Sequence, residues 1–189
     1  MVDFQNQFCH PNAATADSSN RTNRVTAERA NVFAQHATDL GAHVVYTRQV
    51  FDPAELTERQ RRWDEELGLC RKGSWETELF VEPVAGSHTI EKHRFDIWQS
   101  APFASWLAAH DIDGLVIAGV ELRCCVLFAV MGADERGYQL TVPLDLVSGQ
   151  DDGEATYNKA ARDFLRFTYE APASSGFLLD AWRARTTDA

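Results

Sequence analysis

Gly119-Val120-Glu121-Leu122-Arg123-Cys124-Cys125-Val126 joins two apolar stretches of different character. Leu115 to Ala118 is a short run of buried-strand type, and Leu127 to Ala133 suits a buried helix. The octapeptide therefore spans a strand-to-helix turn, with Cys125 close to the helix N-terminus. The first N–H groups of a helix lack intrahelical partners and the dipole is positive there, so a thiolate is stabilised. A cysteine so placed is a candidate nucleophile near neutral pH. Cys124 and Cys125 also fit a plainer role as small core residues, since free cysteine is often buried.

Outward from this turn, strands and helices alternate. Val25, Val32, Phe33, Ala37 and Leu40 recur at helical spacing, with Gly41 as a C-cap. Residues 43–47 read as a strand. Asp52-Pro53-Ala54-Glu55 opens a second helix with an acidic cap, a first-turn proline and a glutamate at the capping-box position. Residues 89–92 read as a short strand, 102–110 as a helix and 114–120 as the strongest strand of the chain. A helix over 123–136 closed by Gly137, a strand over 138–144 and a long helix over 154–169 follow. In that last helix Ala161, Phe164, Leu165 and Tyr169 are the core candidates, and 176–185 is a final amphipathic segment. The alternation predicts an α/β fold, a doubly wound three-layer sandwich around a central, mostly parallel sheet. Such sheets gather functional groups at the carboxyl ends of their strands, where Lys92 and the Gly119–Cys125 turn both fall.

A length of 189 residues fits one domain, residues 1–189, with a substantial core. The net charge of −10 and the lack of a basic stripe argue against nucleic acid or an anionic membrane surface as partner. No apolar stretch reaches about 18 residues, and the N-terminus has no signal-peptide core, so no membrane span is expected. Four cysteines, two of them adjacent, do not form a disulfide framework in a domain of this size, and a reducing cytoplasm is the expected compartment. The six histidines show no ligand spacing, so neither a metal nor another cofactor is expected.

Three segments in order carry a resemblance. Met1 to Cys9 contains Asp3-Phe4-Gln5-Asn6-Gln7-Phe8, the middle of the chain contains Lys92-His93-Arg94-Phe95, and the turn contains Gly119-Val120…Cys125-Val126. Together they resemble the isochorismatase-like cysteine hydrolase superfamily over Val2 to about Asp145. The resemblance implies a catalytic triad of Asp3, Lys92 and Cys125. It selects Cys125 over Cys124 because the family's cysteine precedes a valine. Lys92 would favour the thiolate, and Asp3 would act as general base. The resemblance further implies an oxyanion hole from the backbone N–H groups of Glu121 and Cys125, with a cis peptide at Val120–Glu121. A small-molecule substrate and a homo-oligomer are implied with it.

The chain departs from the pattern around the pocket. Asp96, Trp98 and Ala101 replace a small polar residue, a Phe and a Thr, and Glu121 and Leu122 stand where a small residue and often Thr are usual. Phe8, Trp98 and the Glu121 side chain are the candidate pocket residues. Arg71 to Glu76 resembles the loop of members acting on carbamoyl or ureido amides. The expected activity is metal-independent cysteine amidohydrolysis of a small amide, carbamoyl or ureido compound through a thioester. The alternatives are isochorismate-type vinyl ether hydrolysis and a catalytically silent binding protein. One further expectation concerns the start. Only Met1 and Val2 precede Asp3, whereas the resemblance implies a central first strand there. A start upstream is expected, with about five aliphatic residues ahead of Val2, because a lost central strand leaves its neighbours' backbone groups unpaired.

Overall fold

Two parallel pairs of strands form the centre of the molecule: β1 (Val45–Gln49) with β2 (His88–Lys92), and β3 (Gly114–Val116) with β4 (Gln139–Thr141). The computed structural model describes residues 1–149 and 156–187. In register, Gln49 lies opposite Lys92 and Leu115 opposite Leu140. Met1 and Val2 run between the two pairs. The Met1 carbonyl accepts from Thr47 N–H at 2.9 Å, and Val2 N–H donates to the Ala118 carbonyl at 2.7 Å. The expected single sheet is thus two parallel pairs joined through isolated bridges, Val2 with Gly119 and Gly119 with Val147.

Helices cover both faces. On one side α2 (Ser18–Asp39) and α7 (Gly176–Thr187) bury Ala27, Phe33, Ala37 and Leu179 against Phe4, Tyr46 and Val120. On the other, α4 (Ala101–Ala109), α5 (Leu127–Asp134) and α6 (Thr156–Thr168) bury Leu107, Val130, Ala133 and Leu165 against Ile90, Ile117 and Val142. Burial on both faces explains why the central segments read as continuous apolar runs. Two shorter helices are α1 (Asn6–Cys9), whose Cys9 joins the core beneath α2, and α3 (Glu58–Leu67).

Several boundaries differ from the sequence expectation for local reasons. The second helix starts at Glu58, because Thr57 and Gln60 exchange reciprocal capping bonds while Asp52-Pro53-Ala54-Glu55 closes only one 3₁₀ turn. The first long helix reaches back to Ser18 because Asp17 and Asn20 form a capping box. The ladder of β3 stops at Val116 and that of β4 at Thr141, since Pro143 has no N–H to continue it. Phe164, expected inside, is 39% exposed and meets Tyr169 edge-on. Residues 154 and 155 of the expected 154–169 helix lie outside the described residues. Among the described residues no helix is long and apolar enough to cross a membrane.

Candidate active site

Asp3, Lys92 and Cys125 come from three distant parts of the chain and meet at the carboxyl ends of the central strands. Asp3 follows the Met1–Val2 stub, Lys92 ends β2, and Cys125 sits in a π-helical turn, Leu122–Val126, that leads into α5. All three are buried. Lys92 Nζ is the hub, 2.7 Å from Asp3 Oδ2, 2.6 Å from Gln49 Oε1, 3.2 Å from the Arg94 carbonyl and 3.5 Å from Cys125 Sγ. An ammonium has three protons, so these four acceptors compete and the sulfur holds the longest contact.

The carboxylate is fixed by a residue that the sequence reading did not single out. Thr47 Oγ1 donates to Asp3 Oδ1 at 2.6 Å and accepts from Asp3 N–H at 3.2 Å, which locks both backbone and side chain. Asp3 has a φ of 52°, a left-handed conformation that Asp tolerates better than most residues. Gln49 is held in turn: its backbone N–H donates to Gln5 Oε1 at 2.8 Å, and Gln5 Nε2 donates to the Gln49 carbonyl at 3.0 Å. Alternation along β1 puts Thr47 and Gln49 on one face, toward Asp3 and Lys92. That alternation was the available signal. Gln5 stood inside the opening motif without an assigned role.

Electrostatics alter one expectation. Burial alone opposes a charge on Lys92, yet the Asp3 carboxylate and the Cys125 sulfur outweigh it and raise the ammonium's pKa. A hydrogen bond with Cys124 and burial push the Cys125 thiol well above the ordinary range, against the lowering effect of Lys92. The same thiol–thiol hydrogen bond lowers Cys124. Burial and the Cys124 hydrogen bond thus oppose the thiolate that the helix terminus and Lys92 favour. The thiol's proton must leave to a neighbouring base as it reacts. Cys70 and Cys9, both buried, are also raised by desolvation.

The candidate pocket residues separate into two groups. The Phe8 carbonyl and Glu121 Oε1 each accept from Asn23 Nδ2 at 3.0 Å, and Asn23 Oδ1 accepts from Ser148 Oγ at 2.7 Å. Asn23 and Ser148, neither expected, thus tie α2 to the nucleophile turn. Trp98 goes elsewhere: it is buried over Gly132, with its indole N–H on the Ala129 carbonyl at 2.9 Å and its ring against Phe103 and Tyr138. The Val120–Glu121 peptide is cis. The Arg71–Glu76 loop packs on α1, where Asn6 Nδ2 donates to the Trp75 carbonyl at 3.1 Å.

Solved structures of the same fold carry hydrolase names. A cysteine hydrolase from Pseudomonas syringae pv. phaseolicola superimposes with a TM-score of 0.83 at 15% identity, over 97% of this chain and 91% of that one. N-carbamoylsarcosine amidase from Thermoplasma acidophilum gives 0.74 at 24% identity, over 92% of each chain. Nicotinamidase from Bacillus subtilis gives 0.76 at 17% identity, over 92% of this chain and 96% of that one. Comparison with curated protein sequences gives no match. The architecture is the doubly wound isochorismatase-like α/β sandwich. With the isochorismatase domain model matching residues 1–168, this chain belongs to the isochorismatase family.

Proposed function

We propose that this hydrolase is a metal-independent cysteine amidohydrolase that cleaves the C–N bond of a small amide, carbamoyl or ureido compound through a thioester on Cys125. The observation that carries the reading is the position of Lys92 Nζ, in contact with both the Asp3 carboxylate and the Cys125 sulfur inside the protein. Asp3 accepts the thiol proton as the sulfur attacks the carbonyl carbon, and the carbonyl oxygen becomes an oxyanion. The backbone N–H groups of Glu121 and Cys125 receive that oxyanion. The C–N bond then breaks, Asp3 returns its proton to the leaving nitrogen, and a thioester remains. Water gives a proton to Asp3 and adds to the thioester. Cleavage of the C–S bond releases the acid, and the thiol recovers its proton.

The raised pKa of the Cys125 thiol suits this sequence of steps, because the proton transfer is part of each chemical event. Phe8 and the Glu121 side chain line the substrate end in this reading, joined by Asn23. Residues 1–189 form one domain, the four free cysteines fit a reducing cytoplasm, and the working form is a homo-oligomer. The test is a screen of small amides, ureido acids and lactams for ammonia or amine release, run beside Cys125→Ala and after exhaustive chelation. Release that depends on Cys125 and survives chelation is expected. No release from any class, with Cys125 labelled no faster than a free thiol, would make the chain a binding protein instead.

A further inference from the structure

Glu121 opens the nucleophile turn, and its carboxylate is seated between α2 and Gly149. Oε1 accepts from Asn23 Nδ2 at 3.0 Å. Gly149 leaves room on the other side, since a Cβ there would fall 3.1 Å from Glu121 Oε2 and 2.8 Å from Asn158 Oδ1. Asn23 is 1% exposed and Ser148 2%, so water does not compete freely for their polar atoms. The Asn23 amide nitrogen faces two oxygens that only accept, the Phe8 carbonyl and Glu121 Oε1, each at 3.0 Å. Its Oδ1 then points the other way, where Ser148 Oγ donates to it at 2.7 Å. Ser148 thereby fixes which end of the amide meets the carboxylate.

Ser148 is also built into the turn that it serves. Its N–H donates to the Gly119 carbonyl at 3.2 Å and its carbonyl accepts from Leu122 N–H at 2.8 Å, so it grips the chain on both sides of Glu121. The Glu121 carbonyl accepts in turn from Cys124 N–H at 3.0 Å and Val126 N–H at 3.2 Å. The backbone of Glu121 is thus held without its side chain, and the bond to the carboxylate has a different consequence. A glutamate side chain turns about three bonds, and a carboxylate released from Asn23 can reach back to its own backbone N–H. In the mechanism proposed above that N–H receives the oxyanion. Two negative charges roughly 5 Å apart, at an effective dielectric constant of about 20, repel strongly enough to slow the step about 10²-fold.

We propose that Asn23 and Ser148 are positioning residues for acyl transfer: Ser148 orients the Asn23 amide, and Asn23 holds the Glu121 carboxylate at α2, out of the space where the oxyanion collects. The inference rests on the amidase reading, because only an acyl-transfer step brings an oxyanion to the Glu121 N–H. Both residues act through Glu121, so their effect follows the charge on that side chain. It gives α2, which carries none of Asp3, Lys92 and Cys125, a part in the reaction. It is also independent of which acyl group is transferred, since every such step passes through the same charge.

The experiment compares two reagents on Cys125 of the full chain, with mass mapping to restrict both rates to that residue. p-Nitrophenyl acetate acylates the thiol through a tetrahedral oxyanion and releases p-nitrophenol. Iodoacetamide alkylates it by displacing iodide, with no oxyanion. Asn23→Leu should slow acylation by roughly 10–100-fold and leave alkylation within about 2-fold. Adding Glu121→Gln to Asn23→Leu removes the charge and should restore most of the lost rate, which a merely structural role of Asn23 would not allow. Ser148→Ala should act in the same direction more weakly, with rescue by Ser148→Thr, and it carries the comparison where Asn23→Leu does not fold. Equal slowing of both reagents, full-rate acylation of Asn23→Leu, or a double variant as slow as the single one overturns the proposal. Acylation of the wild-type chain no faster than that of free cysteine overturns the amidase reading and this inference with it, so the two failures are distinct.

Discussion

Val2 and Gly119 face each other across a parallel bridge so closely that a Cβ on Gly119 would fall 2.4 Å from the Val2 carbonyl oxygen and 2.5 Å from the Val2 Cβ. Gly119 also has a φ of +154°, which side chains rarely adopt. This contact supports Asp3 from below, because Asp3 continues directly from Val2. The position of the carboxylate therefore depends on a glycine more than a hundred residues away.

Gly119→Ala should accordingly destabilise the fold by roughly 2–4 kcal/mol, from overpacking and backbone strain together. Displacement of Val2 should carry Asp3 away from Lys92. Urea unfolding and amide turnover check this, and wild-type behaviour in both would show that the bridge does not hold the site.

Cys125→Ala should lower amide hydrolysis by about 10³-fold or more while circular dichroism stays unchanged. Cys124→Ala should retain most activity, since adjacent positions in a helical turn point about 100° apart and only Cys125 meets Lys92. It should also ease ionisation of Cys125, because the hydrogen bond that raises this thiol is gone. Equal loss from the two substitutions would contradict the assignment.

Lys92→Met removes the one influence that lowers the Cys125 thiol, so the pH at which Cys125 alkylates should move upward. It also leaves Asp3 buried without its cation, at a cost of about 3–5 kcal/mol. The Asp3→Leu/Lys92→Met pair should recover part of that loss. Alkylation profiles and denaturant unfolding of the three variants provide the measurement, and an unmoved profile would separate Lys92 from the thiol.

Thr47→Val deletes the donor to Asp3 Oδ1 and the acceptor of Asp3 N–H in one step. A cost of about 1–3 kcal/mol is expected, with slower turnover but intact thiol labelling at neutral pH. Rescue by Thr47→Ser would show that the hydroxyl, and not the methyl group, positions the carboxylate.

The Met1 ammonium supplies a pH dependence with a defined sign. Its pKa is lowered from 8.0 to about 6, so the folded state binds fewer protons than the unfolded chain between those values. The stability that this group contributes is complete above pH 8 and is lost as pH falls through about 6, by up to about 3 kcal/mol. Acetylation of the amine should flatten the stability profile in that window. A profile that acetylation leaves unchanged would exclude the group as its source.

How much of the site was legible varies residue by residue. Asp3, Lys92 and Cys125 could be read because each stands in a short motif whose order along the chain mirrors the resemblance. Thr47, Gln49, Asn23 and Ser148 could not, because a threonine in a strand or an asparagine in a helix has many ordinary uses. The surroundings of Trp98 were not legible either. It was chosen because it stands where the resemblance places a Phe, and only the structure shows that Gly132 leaves room for the indole and that Ala129 accepts its N–H.

The sequence by itself determined the alternation of strands and helices, the two apolar faces, and the chemistry that the nucleophile turn can support. Those properties are local: periodicity, capping residues and side-chain type act within a few positions. Tertiary structure alone decided what opposes ionisation of Cys125, since desolvation and the Cys124 hydrogen bond arise only when the turn is buried. It also decided that Asn23 meets Glu121 and Ser148, because that contact is a relation between segments that are distant in the chain.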